Sequence, residues 1–230
     1  MQCRHTALFI LILIAIHTAA LNAQQTLNAS FSPVADPWNF PAEGVELKEK
    51  PQVLVFELET LPAEKKTTWI QTRQDIQALL PLSMKSFIDV FLDFPGQVGF
   101  LPRLAKIEVL AQSDAYYEMR QFYEIRIMGY VYPTVYDMSY KLIEDPDSKR
   151  AAILWNLLDS DGSIGGSEGG WYIEEVAGKD GPAIKVRNLN VGRVRKDFPL
   201  QAQIMKLAGP GELEGIVKAI LKEAKRRGLK

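Results

Sequence analysis

The sequence predicts an α+β domain in which an antiparallel β-sheet is covered on one face by a long C-terminal helix. Between residues 105 and 191, apolar and charged side chains alternate along several segments, which is typical of strands with one solvent-facing side. Helical periodicity occurs in one short stretch before these strands and again over residues 213–224. A sheet with one wet face must cover its other face, and the terminal helix is the element available to do so.

The first 23 residues have the pattern of a cleavable signal peptide. Arg4 supplies a positive charge, an apolar run spans residues 7–16, and small residues lead to a cleavage site before Gln24. The alternative is a membrane anchor, but the apolar run is shorter than the ~20 residues that a spanning helix needs. We therefore expect an exported protein, periplasmic or secreted.

Cleavage would leave a mature chain without histidine or cysteine, because His5, His17 and Cys3 all precede Gln24. Such a chain has no Ser-His-Asp triad, no thiol nucleophile and no typical zinc ligands. Carboxylates, Lys, Tyr and Ser remain, so an enzyme is possible but is the less favoured class. No metal or cofactor is predicted. The 27 basic and 28 acidic residues provide no broad basic surface, so no nucleic-acid partner is expected.

Residues 24–42 are polar and interrupted by three prolines, which predicts a linker ahead of a single domain at 43–230. Strands are predicted at 53–58 and 67–76. Ser83 is then a suitable N-cap for a short helix whose apolar residues recur at helical spacing up to Phe91. Pro95-Gly96 is expected to end that helix, and residues 99–102 are expected to form a second short helical turn.

The alternation is clearest at residues 117–127, where Tyr117, Met119 and Tyr123 share one face and Glu118 and Arg120 take the other. Further strands are predicted at 130–142, 151–158, 171–173 and 183–191.

The last helix is predicted to begin after Pro210-Gly211, which separates it from the apolar pair Ile204-Met205. Its acidic first turn and basic last turn complement the helix dipole. The cations around Lys222 and Lys225 are interpreted as this helix end, and a transient membrane-surface contact is the alternative.

In this order and spacing, the chain resembles the START-like superfamily, the helix-grip fold shared with birch pollen allergens and polyketide cyclases. The resemblance covers most of residues 38–228 and rests on Trp38 with Gly44-Val45, residues 83–91, Asp93-Phe94-Pro95, Phe100-Leu101-Pro102, residues 132–137, residues 170–174 and Phe198-Pro199. One departure is Tyr136, which stands where the family usually has an arginine before Asp137.

The resemblance implies a curved antiparallel sheet wrapped around the C-terminal helix, with two short helices after the first long strand. It also implies a deep apolar cavity between sheet and helix that binds lipids, sterols, quinones, polyketides or similar molecules. Aromatic side chains with one polar tip suit such a ligand, although a filled core is the alternative. The candidate ligand-binding residues are Phe100, Tyr117, Met119, Tyr123, Tyr132, Tyr136, Tyr140, Trp155, Trp171 and Met205.

The acidic, glycine-rich stretch at residues 159–168 does not have the spacing of an EF-hand loop, because its Gly and Glu fall at the wrong positions. It is predicted to be a hairpin loop beside the cavity mouth. The favoured function is therefore a carrier or scavenger of a lipid or other hydrophobic small molecule. A cyclase or aromatase acting in the same cavity and a protein-interaction domain with a collapsed cavity are the alternatives.

Overall fold

The structure, a computed structural model, describes residues 38–40, 47–127, 130–179 and 181–229. Eight strands form one antiparallel sheet in the order β1-β2-β8-β7-β6-β5-β4-β3. The strands are β1 (Gln52–Thr60), β2 (Trp69–Leu80), β3 (Leu104–Gln112), β4 (Tyr116–Ile127), β5 (Tyr130–Asp145), β6 (Arg150–Ser160), β7 (Ile164–Ala177) and β8 (Pro182–Arg195). The helices are α1 (Met84–Phe91), α2 (Phe94–Gln97) and α3 (Gln201–Arg226). The predicted α+β class and the predicted strands are confirmed.

The inner face of the sheet, which α3 covers, is set by the alternation seen in the sequence. Met119 on β4 is 1% exposed and pairs with Met138 on β5, which is 3% exposed. Arg120, the next residue on β4, points to the outer face and forms a bidentate ion pair with Asp137 at 2.8 and 2.9 Å. One period-two pattern therefore separates core from charge along both strands.

The outer face is not wholly solvent-facing, which differs from the expectation of one wet face. A second apolar cluster there contains Ala152, Leu154, Tyr172 and Leu189, and Phe40 packs against it. The Phe40 ring lies edge-on to Tyr172 with 6.4 Å between ring centroids. Residues 38–40, the described part of the predicted linker, thus lie against the sheet.

An arginine on β8 holds this N-terminal stretch in place. Arg187 pairs with the buried carboxylate of Asp75 at 2.8 Å. It also donates hydrogen bonds to the Asn39 side chain at 2.7 Å and to the Phe40 carbonyl at 3.0 Å. Because Asp75 is only 4% exposed, the guanidinium provides the counter-ion for a buried carboxylate, to which Gln77 Nε2 also donates at 3.2 Å.

The two short helices follow β2, and each has a side-chain cap. Ser83 accepts a hydrogen bond from the Ser86 N–H at 3.1 Å, which confirms the predicted N-cap of α1. Asp93 accepts from the Gly96 N–H at 3.2 Å and caps α2. Pro95-Gly96 therefore lies inside α2 rather than ending α1. This prediction was wrong because proline is favourable in the first turn of a helix, where its missing N–H costs nothing.

The C-terminal helix is longer than the sequence indicates. The predicted break at Pro210-Gly211 does not occur, and α3 runs through Pro210 from Gln201. At Gly209 the helix meets β1 so closely that an added Cβ would lie 1.9 Å from Cζ of Phe56. Packing against β1 thus coincides with the region where local propensity disfavours a helix, and tertiary contact overrides propensity here.

The last turn of α3 is tied to the short helices by an ion-pair network. Glu223, 6% exposed, pairs with Arg226 at 2.6 Å and with Arg227 at 2.7 Å. Arg227 also pairs at 2.7 Å with Asp93, the cap of α2. The hydrogen bonds from Arg226 and Arg227 lower the pKa of the Glu223 carboxyl from 4.5 to about 2.

We expect Gly209→Ala to lower the free energy of unfolding by roughly 1–3 kcal/mol, because the methyl group overpacks against Phe56. The matched control is Gly215→Ala in the same helix, where an added Cβ meets no atom within 4 Å. That variant should be more stable by about 0.5–1 kcal/mol, since alanine is the better helix former. Urea unfolding of both variants measures the difference, and equal effects would show that the Phe56 contact does not constrain α3.

We expect Glu223→Gln to lower the melting temperature at pH 7 and to have a diminishing effect in acid. A carboxyl whose pKa is lowered by folding stabilises the protein fully above its unfolded pKa. This contribution should be lost as the pH falls from 4.5 towards 2. Thermal melts between pH 7 and pH 2 test this, with Glu214→Gln as the control in an exposed pair. A constant gap between wild type and Glu223→Gln at all pH values would contradict it.

Candidate functional site

A cavity of about 210 Å³ lies between the inner face of the sheet and α3. Its walls come from six strands on one side and from the short helices, the segment after them and α3 on the other. The lining residues are Gln74, Ile76, Phe91, Gln97, Leu101, Gln121, Tyr123, Tyr136, Met138, Tyr140, Trp155, Ser167, Trp171, Asn188, Asn190, Leu213 and Ile216.

Strand register brings the central part of this wall together. Gln74, Asn190, Gly169, Trp155 and Tyr140 are successive cross-strand partners on β2, β8, β7, β6 and β5. The indole of Trp155 lies over Gly169, where an added Cβ would be 2.3 Å from Cζ2 of the ring. Glycine at this position therefore lets the tryptophan lie flat along the cavity wall.

Asn190 is the centre of a hydrogen-bonded polar strip within this row. Its Oδ1 accepts from Trp155 Nε1 at 3.3 Å and from Ser167 Oγ at 3.4 Å. Its Nδ2 donates to Oε1 of Gln74 at 3.5 Å. These bonds keep polar side chains on an otherwise apolar sheet face without leaving them unsatisfied.

Asn188 lies one row further along β8, between Ile76 on β2 and Trp171 on β7. Its side chain is 8% exposed and lines the cavity, and no described residue hydrogen-bonds to its amide. The Asn188 amide is therefore available to a molecule inside the cavity.

Three tyrosines form the opposite side of the wall. Tyr123 and Tyr136 stack with their ring centroids 5.5 Å apart, and the Tyr140 hydroxyl donates to Oε1 of Gln121 at 3.3 Å. Burial raises the pKa of all three hydroxyls. They are consequently protonated at neutral pH and act as hydrogen-bonding groups rather than as bases.

An ion pair joins two segments that contribute to the lining. Arg103 Nη2 lies 2.5 Å from Oε1 of Glu212. Leu101, just before Arg103, and Leu213, just after Glu212, both face the cavity. The pair therefore connects the segment after α2 to α3 directly beside the cavity.

The structure brings five of the ten candidate residues to the cavity: Tyr123, Tyr136, Tyr140, Trp155 and Trp171. That these side chains bind a ligand stays a prediction.

The other five candidates lie elsewhere. Met119 is packed in the core, and Tyr117 contacts Phe94 with 5.4 Å between ring centroids. Phe100 lies in a surface groove against α3, and Tyr132 is 37% exposed beside Phe198. Met205 is half-buried on the first part of α3. Tyr117 and Met119 have the inward orientation expected for them, but their position along β4 places them in packed core.

Sequence reasoning missed the polar lining residues, namely Gln74, Gln97, Gln121, Ser167, Asn188 and Asn190. A signal existed for the two asparagines. Ile184 and Val186 are fully buried on β8, and period-two alternation carries the same face on to Asn188 and Asn190. Polar residues at inward positions of a strand are a sign of a site.

Most of the acidic stretch at residues 159–168 belongs to β6 and β7, and only residues 161–163 form the hairpin loop between them, whose backbone Asp161 shapes. Asp161 accepts from the N–H groups of Val135 at 3.0 Å and Ser163 at 2.9 Å. Within the described ranges, no group of three or more His, Cys, Asp and Glu residues could hold a metal ion. In the same ranges, no helix is long and apolar enough to cross a membrane.

No protein-family model and no curated protein matches this chain. Among solved structures, it is similar to a STAR-related lipid transfer protein from Xanthomonas axonopodis. The TM-score is 0.56 and the identity 10%, over 73% of this chain and 98% of that one. The chain has the START-like fold.

Two further structures share this START-like fold. Human StAR-related lipid transfer protein 5 matches with a TM-score of 0.57 and 7% identity, over 74% of this chain and 88% of that chain. The Zhui aromatase/cyclase from Streptomyces sp. R1128 matches with a TM-score of 0.52 and 16% identity, over 69% of this chain and 96% of that chain. At these identities the similarity concerns the fold, and it includes both proteins named for lipid transfer and an enzyme.

Proposed function

We propose that this protein is an exported carrier or scavenger that holds a lipid or other hydrophobic small molecule in the cavity beneath α3. The observation that carries the proposal is a cavity of about 210 Å³ lined by Trp155, Trp171 and three tyrosines. Aromatic walls with a few polar groups are typical of small-molecule sites. The similarity to proteins named for lipid transfer supports the same conclusion.

The cavity volume limits the size of the bound group. A protein cavity of roughly 150 Å³ accommodates benzene, so about 210 Å³ suits a ring with a few further atoms or a short alkyl chain. A larger lipid would require α3 to move away from the sheet. The same volume argues against the interaction-domain alternative, which requires a collapsed cavity.

Chemistry in the cavity favours binding over catalysis. A cyclase-type reaction needs a group that can accept a proton near neutral pH. Among the described residues, none of the lining side chains is Asp, Glu, Lys, Arg or His. The tyrosines do not fill this role, because burial raises their pKa.

A transient membrane-surface contact at the end of α3 stays a prediction. Arg226 and Arg227 pair with Glu223, and Lys218 pairs with Glu214, so these cations already have structural partners. Lys222 and Lys225 are exposed. Cosedimentation with anionic vesicles, compared with neutral vesicles, would test whether they attract a lipid surface.

We expect Tyr123→Trp to weaken binding of the neutral apolar probe propylbenzene at least tenfold while leaving the fold intact. The larger indole would occupy space in the cavity rather than displace packed neighbours. Isothermal titration calorimetry with the probe and thermal melts measure the two effects. The matched control is Tyr116→Trp on the same strand, because Tyr116 is 38% exposed and does not line the cavity.

If the cavity does not bind ligands, a different result follows for Tyr123→Trp. Overpacking of a filled core would destabilise the protein by roughly 1–3 kcal/mol. That loss, together with no saturable probe binding in the wild type, would overturn the carrier proposal.

Export has its own test. The predicted signal segment lies outside the described residues, and the proposal that it is removed rests on the sequence pattern. N-terminal sequencing of protein collected outside the cytoplasm of its own host should find a chain that starts near Gln24. A chain still starting at Met1 would contradict export by cleavage.

A further inference from the structure

We infer that the cavity selects uncharged ligands that carry a hydrogen-bonding group, such as an amide, alcohol or ketone, and rejects the corresponding carboxylate anions. The inference rests on the proposed function and specifies the chemical class of the ligand. It begins from the composition of the cavity wall, in which the polar groups are amides and hydroxyls and no described side chain is charged at neutral pH.

Two ion pairs formed by residues of the same strands lie on the opposite face of the sheet. Arg187 on β8 pairs with Asp75 on β2 at 2.8 Å. Arg120 on β4 pairs with Asp137 on β5 at 2.8 Å. Because these cations already have carboxylate partners on the outer face, they are not available to neutralise an anion in the cavity.

Several hydrogen-bond donors of the wall are already engaged. Trp155 Nε1 and Asn190 Nδ2 donate within the polar strip, and the Tyr140 hydroxyl donates to Gln121. A buried carboxylate needs several donors or a cation to replace the water that it loses. The described part of the cavity wall offers no cation for that purpose, so a carboxylate would lose its water without a counter-ion.

Asn188 provides the hydrogen-bonding groups that a neutral polar ligand requires. Asn188 is 8% exposed, and its amide has no hydrogen-bond partner among the described residues. An asparagine side chain offers both a donor and an acceptor. A ligand amide or hydroxyl would satisfy it, while the apolar part of the ligand would lie against Ile76 and Trp171, the cross-strand neighbours of Asn188.

The test compares two ligands of nearly equal size that differ in charge, 3-phenylpropionamide and 3-phenylpropionate. Isothermal titration calorimetry of the mature protein at pH 7.5 should show binding of the amide at least tenfold tighter than that of the carboxylate. Apparent affinity for the acid should rise as the pH is lowered towards 5.5, because only its neutral form enters the cavity. Propylbenzene, which has the same phenylpropyl skeleton without the polar group, serves as the apolar reference.

Asn188→Leu, of similar size, tests the role of the amide. It should reduce amide affinity about tenfold and leave propylbenzene binding unchanged or tighter. The control is Asn156→Leu. Asn156 follows Trp155 on β6, lies on the outer face and does not line the cavity. The comparison of the two ligands on wild-type protein decides the inference even if Asn188→Leu does not fold.

The outcomes separate the inference from the proposed function. Equal or tighter binding of the carboxylate, with the apolar probe also bound, overturns the inference and leaves the carrier proposal in place. Binding of the apolar probe alone, with neither polar ligand bound, also overturns it. Absence of binding by all three ligands overturns the proposed function and the inference together.

Discussion

The position of α3 over the inner face of the sheet is the constraint on which the rest of the structure depends. Near its middle, the helix approaches β1 at Gly209, where the absence of a side chain makes room for Phe56. At its end, Arg227 ties it to Asp93, the cap of the second short helix. Between these two contacts Leu213 faces the aromatic wall without filling the space, and the cavity is the volume that remains.

Ion pairs lie on the outer face of the sheet and amide side chains line the cavity on its inner face. This difference sets the chemical character of the cavity. Ion pairs such as Arg187–Asp75 keep charged groups on the outer face, and the inner face has amides at the corresponding rows. Asn190 is satisfied within the protein, so it contributes to structure as well as to the wall. Asn188, one row away, has no such partner among the residues that the structure describes. Two neighbouring asparagines on one strand thus have different roles because their cross-strand neighbours differ.

Part of the outer face of the sheet is covered as well as the inner face. Tyr172 is fully buried although it points away from the cavity, because Phe40 and the apolar residues of the second cluster enclose it. Arg187 links that cluster to the N-terminal stretch through the Phe40 carbonyl. Residues ahead of the first strand therefore contribute to the sheet's packing. The neighbouring charged rows remain outside, which preserves the difference between the two faces.

The sequence by itself determined the strands, the N-cap at Ser83 and the inward orientation of Tyr123, because period-two and period-3.6 patterns and caps are local properties. It could not place Met119 outside the cavity wall, since orientation does not decide which inward residues meet empty space and which meet packed neighbours. It also predicted a helix break at Pro210, where contact with β1 outweighs local propensity. The amide lining emerges only when strand register aligns Gln74 on β2 with Asn190 on β8, which are far apart in the chain. Only the tertiary structure therefore decided where the cavity lies, because the cavity depends on distances between helices and strands rather than on sequence patterns within them.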